Sequence, residues 1–148
     1  AVGLQFALGL GTGNLSLLVQ SGGLAWRADG ELLQRLVNRR STLLRAFTRY
    51  LWNVVNEVAT LAACAQIQDI EARVAGWILL SSQRSDPLTL RLTHAHIADM
   101  LGVRRASVTL AAKALKARGL LDYQRGHIQV LDWPGLRAAS CWKPDVPV

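Results

Sequence analysis

The chain has 148 residues, 51% of them hydrophobic and 18% charged, and its 17 lysines and arginines outweigh 10 acids to leave a net charge of +7. That length permits one ordinary domain or two small ones, and so apolar a composition excludes a disordered tail. Cys64 and Cys141 are the only cysteines, which excludes a disulfide scaffold and suits free thiols in a reducing compartment.

Residues 1–26 carry no charged side chain, but Gly9, Gly11, Thr12, Gly13, Asn14, Ser16, Gln20, Ser21, Gly22 and Gly23 interrupt the run. A spanning helix needs about 20 predominantly apolar residues, and a signal peptide needs a basic start. Neither is present, so a soluble, cytoplasmic protein with no membrane partner is expected. The opening Ala1-Val2-Gly3 lacks an initiator Met and reads as a piece of something longer. Seven of the twelve glycines fall in the first thirty residues, around the short apolar runs Leu15–Gln20 and Leu24–Arg27. Residues 1–28 therefore read as β-rich with tight turns, too little for a stable sheet alone. Gly9-x-Gly11-x-Gly13 lacks both the Gly-Lys-Ser/Thr of a phosphate loop and a helix directly after it, and these read as turn glycines.

From Asp29 the period changes. Asp29 is a plausible N-cap for a short helix over Glu31–Val37, closed by Asn38-Arg39-Arg40. Ser41 looks like the cap of a long helix. Along it Leu44, Phe47, Leu51, Val54, Val58, Leu61 and Ala65 alternate spacings of three and four, with polar Asn53, Asn56 and Thr60 off the seam. Such a seam serves a two-stranded intermolecular coiled coil or packing within the chain; its length and narrowness favour the coiled coil. Cys64 beside it reads as a small buried residue. A third helix spans about Ile70–Leu80, with Ile70, Val74, Trp77 and Ile78 on one face. Asp86-Pro87 breaks the chain, and alternating Leu88, Leu90 and Leu92 predict a short half-buried strand.

Thr93 can cap a helix over His94–Leu101, with Ile97, Met100 and Leu101 apolar and Gly102 as its stop. A second helix runs from about Arg104 to Arg118, burying Val108, Ala111, Ala112 and Leu115, and Gly119 ends it. Two short helices joined through one glycine turn make a helix-turn-helix pattern. Leu120–Tyr123 and Ile128–Leu131 then read as a hairpin turning at Arg125-Gly126, where a winged helix carries its wing. Between Val103 and His127 stand six basic residues (Arg104, Arg105, Lys113, Lys116, Arg118, Arg125) and one acid, Asp122. That stretch is +5, the other 123 residues share +2, and the helix charges avoid the buried stripe. One exposed basic face, and nucleic acid as its partner, is the expectation.

From about Leu15 to Asp132 the order of elements resembles the Crp–Fnr family of bacterial transcription regulators. The most specific matches are Ile70-Glu71-Ala72-Arg73-Val74-Ala75-Gly76-Trp77 and Leu101-Gly102-Val103-Arg104-Arg105-Ala106-Ser107-Val108-Thr109. The resemblance implies a mainly α (α+β) chain: the end of a sensor β-roll with a short helix over 1–40, a dimerisation helix over 41–66, and a C-terminal winged helix-turn-helix over 67–148. It implies a homodimer through Leu44, Phe47, Leu51, Val54, Val58 and Leu61, bound to double-stranded DNA at an inverted repeat, with RNA polymerase as an expected further partner. Arg105 matches the family's first base-reading arginine, whose fork suits the O6 and N7 of guanine. The frequent glutamate after it is Ala106 here, and the second arginine is Leu110; either can touch a thymine methyl, and Thr109 can reach a base edge. Arg104 and Ser107 at the helix start fit phosphate contacts. Thr93, His94, Lys113, Arg125 and His127 are further expected backbone contacts, which supply salt-dependent affinity.

Where cyclic-nucleotide-binding members carry Gly-Glu and Arg-Ser, this chain offers Gly3-Leu4 and Gly13-Asn14-Leu15. No cyclic AMP binding and no cofactor is expected, since a cyclic phosphate would lose its charge-assisted partner. Two distant cysteines cannot hold an iron–sulfur cluster. His94 and His96 are two apart on a helix and face apart, and His127 is on the hairpin, so no metal site is expected. No nucleophile–base–acid set appears, so no enzyme is expected; Asp69 and Glu71 read as helix-start caps. The alternative reading is a protein-interaction and dimerisation module whose winged helix no longer reads DNA, for which apolar Ala106 and Leu110 speak.

Overall fold

In the computed structural model the described residues are 2–11, 19, 22–84, 89–124 and 126–142, with backbone alone at 84 and 89. They form two compact units, 1–58 and 59–148.

The first unit holds α1 (Leu4–Ala7), α2 (Gly30–Arg39) and most of α3 (Ser41–Ile67), which continues into the second. The β-rich expectation for 1–28 is corrected at residues 4–7, which are helical, and no strand occurs among the described residues of that stretch. The reason is local: Leu4 and Ala7, three apart, share one side of a helical turn and are buried, with α1 packed on α2. Most of Leu15–Gln20 lies outside the described residues, as does Gly13, while Leu24–Arg27 has no regular structure. Gly9 and Gly11 take positive φ, as turn glycines do. Asp29 caps α2 as expected, accepting from the Leu32 N–H at 2.8 Å.

Helix α3 begins at Ser41, and the Arg40 carbonyl accepts from the Leu43 and Leu44 N–H groups; Arg40, rather than Ser41, is the boundary residue. Phe47, Leu51, Val54 and Leu61 of the predicted seam are half-buried, whereas Leu44, Val58 and Ala65 are exposed. Trp52 and Val55, off that seam, are 62% and 56% exposed. The exposed apolar stripe is therefore rotated slightly from the sequence pattern, toward Leu44, Val55 and Val58.

The second unit holds α4 (Ile70–Arg84), β1 (Thr89–Arg91), α5 (His94–Leu101), α6 (Arg105–Ala117), β2 (Leu121–Gln124), β3 (His127–Val130) and α7 (Trp133–Ala139). The strands form one antiparallel sheet in the order β1-β3-β2, with Leu90 opposite Ile128 and Leu121 opposite Val130. Val74 and Ile78 of α4, Ile97 of α5, Val108 and Leu115 of α6, Leu121, Ile128 and Leu136 are almost fully buried in one core. Each comes from a residue repeating at three or four in a helix, or at two in a strand, so every element turns one apolar side inward. Asp69 caps α4, accepting from the Ala72 N–H at 2.8 Å, whereas Glu71 in its first turn reaches Arg118. The expected break at Asp86-Pro87 lies outside the described residues. Helix α7 is not legible in the periodicity, although Asp132, which accepts from the Gly135 N–H at 2.9 Å, and Pro134 in its first turn are both helix-start residues.

Candidate nucleic-acid interface

The angle between α5 and α6 is set at Gly102. Thr93 starts α5 by accepting from the His96 N–H at 3.2 Å. Gly102 ends it with φ 64 and ψ 38, a left-handed conformation that costs glycine nothing because it has no Cβ. The Val103 N–H then donates back to the Ala98 carbonyl at 3.0 Å, which closes the turn and delivers Arg104 to the start of α6. Val108, Ala111, Ala112 and Leu115 are buried as expected, which leaves the opposite side of α6 outward.

On that outward side Arg104, Arg105, Ala106, Leu110 and Lys113 are exposed, while Ser107 and Thr109 are half-buried. Thr109 donates its hydroxyl proton to the Arg105 carbonyl at 3.0 Å, and its oxygen lies 3.2 Å from His94 Nδ1. A threonine bonding back one turn leaves its oxygen able to accept from an N–H, so α5 and α6 are tied together at the base of the exposed face. His94 is half-buried and meets Tyr123 of β2 edge to face, ring centres 4.9 Å apart. Partial burial, and then the nearby Arg105 guanidinium, hold the His94 imidazole below its usual pKa.

The hairpin stands beside this face. Gly126 has φ +85 and lies near the Thr93 methyl, and His127 is exposed at the start of β3. Arg125, the expected turn and backbone-contact residue, lies outside the described residues. The single exposed basic face expected from the sequence divides into two parts. Lys116 pairs with Asp122 and sits 5.1 Å from the centre of the Tyr123 ring. The hydrogen bond between Lys116 and Asp122 raises the pKa of the lysine and lowers that of the acid. Arg118 pairs with Glu71. Arg104, Arg105 and Lys113 form no ion pair among the described residues. Tyr123 is the residue sequence reading missed: it supports His94 and Lys116 together, and its only advance signal was its place in an alternating strand.

Among the described residues no group of three or more His, Cys, Asp or Glu is placed to hold a metal, and no helix is long and apolar enough to cross a membrane.

Residues 72–139 match a family described as the Crp-like helix-turn-helix domain. A Crp-family transcriptional regulator from Thermus thermophilus is similar over 71% of this chain, with 22% identity and a TM-score of 0.56. FixK2 from Bradyrhizobium japonicum is similar over 75% of the chain, with 16% identity and a TM-score of 0.65. At those identities the likeness concerns the fold. The chain spans 58% of the length of each of these two structures. No curated protein matches the sequence.

Proposed function

We propose that this chain is a sequence-specific DNA-binding transcription regulator that acts in the cytoplasm as a homodimer on an inverted repeat, a reading supported by the match of residues 72–139 to the Crp-like helix-turn-helix domain. The observation that carries the reading is the exposed side of α6, where Arg104, Arg105 and Lys113 stand outward without ion pairs among the described residues. An arginine on a helix of this width fits the major groove and can hold a guanine edge through two parallel hydrogen bonds. Arg105 is the base-reading cation, flanked by Ala106 and Leu110 for thymine methyls and by Thr109. Arg104, Ser107, Lys113, Thr93, His94, Arg125 and His127 take the sugar-phosphate backbone, where charge supplies affinity without sequence choice.

Two copies pair through α3, along the exposed stripe of Leu44, Val55 and Val58 with Leu51 at its margin, and the two recognition helices of such a dimer enter major grooves about 34 Å apart. Contact with RNA polymerase belongs to the same proposal.

Selection of bound duplexes from a random DNA library at physiological salt tests the reading. The expected result is an inverted repeat with half-sites about one helical turn apart. Recovery of DNA without a consensus would overturn it in favour of a protein-interaction module, for which Leu110, 68% exposed on the recognition helix, is the supporting observation.

A further inference from the structure

A second site lies within residues 59–148. A cavity of about 130 Å³ there is lined by residues that include Leu61 and Cys64 of α3, Arg73 and Trp77 of α4, Leu101 of α5, and Cys141 beyond α7. Leu61 and Cys64 are three apart and Arg73 and Trp77 four apart, so each pair shares one helix face. Cys141 completes the wall. Its N–H donates to the Ala72 carbonyl at 3.3 Å, and its sulfur sits 3.3 Å from where a Cβ on Gly76 would stand. The missing side chain at Gly76 lets the segment beyond α7 come this near to α4.

The wall is mostly apolar, and Arg73 is the one charged residue among those described in it. Arg73 is half-buried and forms no ion pair among the described residues. One N–H of its guanidinium donates to the Leu101 carbonyl at 2.7 Å, at the negative end of α5. The guanidinium fork carries several further donors, so that bond leaves room for a second acceptor. Burial pushes the Cys141 thiol up to about 12, so it is uncharged at pH 7 and supplies Arg73 with no anion. A carboxylate suits such a cation, because it takes two parallel hydrogen bonds from the fork. Size sets the rest. An apolar cavity of about 150 Å³ holds one benzene molecule, so this one has room for a single ring or a short branched chain. We propose that this cavity binds a small apolar monocarboxylate, its hydrocarbon part against Leu61, Trp77 and Leu101 and its carboxylate on the Arg73 guanidinium.

Met100 is the only methionine of the chain and lines the same cavity, so its methyl group is a single, local reporter. The test follows that isotope-labelled methyl by NMR in the full chain as sodium benzoate, and separately sodium isovalerate, is added. Binding is read without DNA, so its failure and the failure of the DNA-binding reading are separate results. The methyl signal should shift to saturation with either carboxylate. Benzamide, which has the shape of benzoate without its charge, should bind at least about 10-fold more weakly. Arg73→Gln keeps an N–H donor but removes the charge, and should weaken benzoate by about 10- to 100-fold while leaving benzamide unchanged. Circular dichroism shows whether that variant is folded; if it is not, the comparison of benzoate with benzamide on the parent protein decides. A methyl signal that stays put or drifts without saturating at millimolar carboxylate would overturn the proposal. So would benzamide binding as tightly as benzoate, or a folded Arg73→Gln protein that binds benzoate as the parent does.

Discussion

Along the first two-thirds of α6, Arg104, Arg105 and Lys113 stand exposed and without ion pairs among the described residues, whereas at its end Lys116 is held by Asp122 and Arg118 by Glu71. The residue types are the same at both places; the difference is what the fold brings opposite them. Asp122 arrives on the adjacent strand and Glu71 from the start of α4, so the last two cations close the helix onto its own domain. A charge count along a helix therefore overstates the field it offers to a polyanion. The part available to DNA is the part that no neighbouring element reaches.

The comparison can be broken outright by removing the core that both ends share. Leu115 is fully buried, and Leu115→Ala should cost about 2–5 kcal/mol of stability, read by denaturant unfolding, with DNA binding lost in step. Arg105→Ala leaves the core alone and should cost about 1–3 kcal/mol of binding while relaxing preference at one base pair. A repeated library selection that returned an unchanged consensus would remove Arg105 from the base-reading role. Lys113→Ala should weaken all sequences alike and lower the slope of log affinity against log salt by about one. Arg118→Ala should leave that slope unchanged and cost about 0–1 kcal/mol of stability, as an exposed pair does; a fall in the slope would show that Arg118 serves DNA as well.

The smallest effect concerns His94, where the sign follows from its lowered pKa. The unfolded imidazole takes up its proton near pH 6.5, and the folded one resists until lower pH. The unfolded state thus binds more protons in that window, so stability rises with pH through it. The contribution of His94 should be complete above pH 6.5 and fade as pH falls below it. Thermal unfolding of the parent against His94→Gln between pH 5 and pH 8 measures that contribution, which should shrink toward acid.

Local pattern alone made much of the recognition unit legible. Thr93, the apolar spacing of 94–101, Gly102 and the stripe of Val108, Ala111, Ala112 and Leu115 each speak through neighbours within a few residues, and caps and periodicity are local physics. The tie between Thr109 and His94, the platform at Tyr123 and the loss of Lys116 and Arg118 from the basic face join residues on different elements. Periodicity is blind to such pairings. Residues 4–7 show the same limit from the other side, since glycines and short apolar runs suit a strand or a helical turn until something covers one face.

What the sequence determined by itself is the set of helices from Asp29 to Arg118, the glycine turn between α5 and α6, the hairpin, and the excess of positive charge near them. Hydrogen bonds within one segment and the repeat of its apolar residues suffice for that. What only the tertiary structure decided is which cations remain outward, which side of α3 stays exposed, and that Cys64 and Cys141 line one cavity. Those depend on long-range packing, in which a residue's partner is chosen by the fold's geometry and not by its distance along the chain.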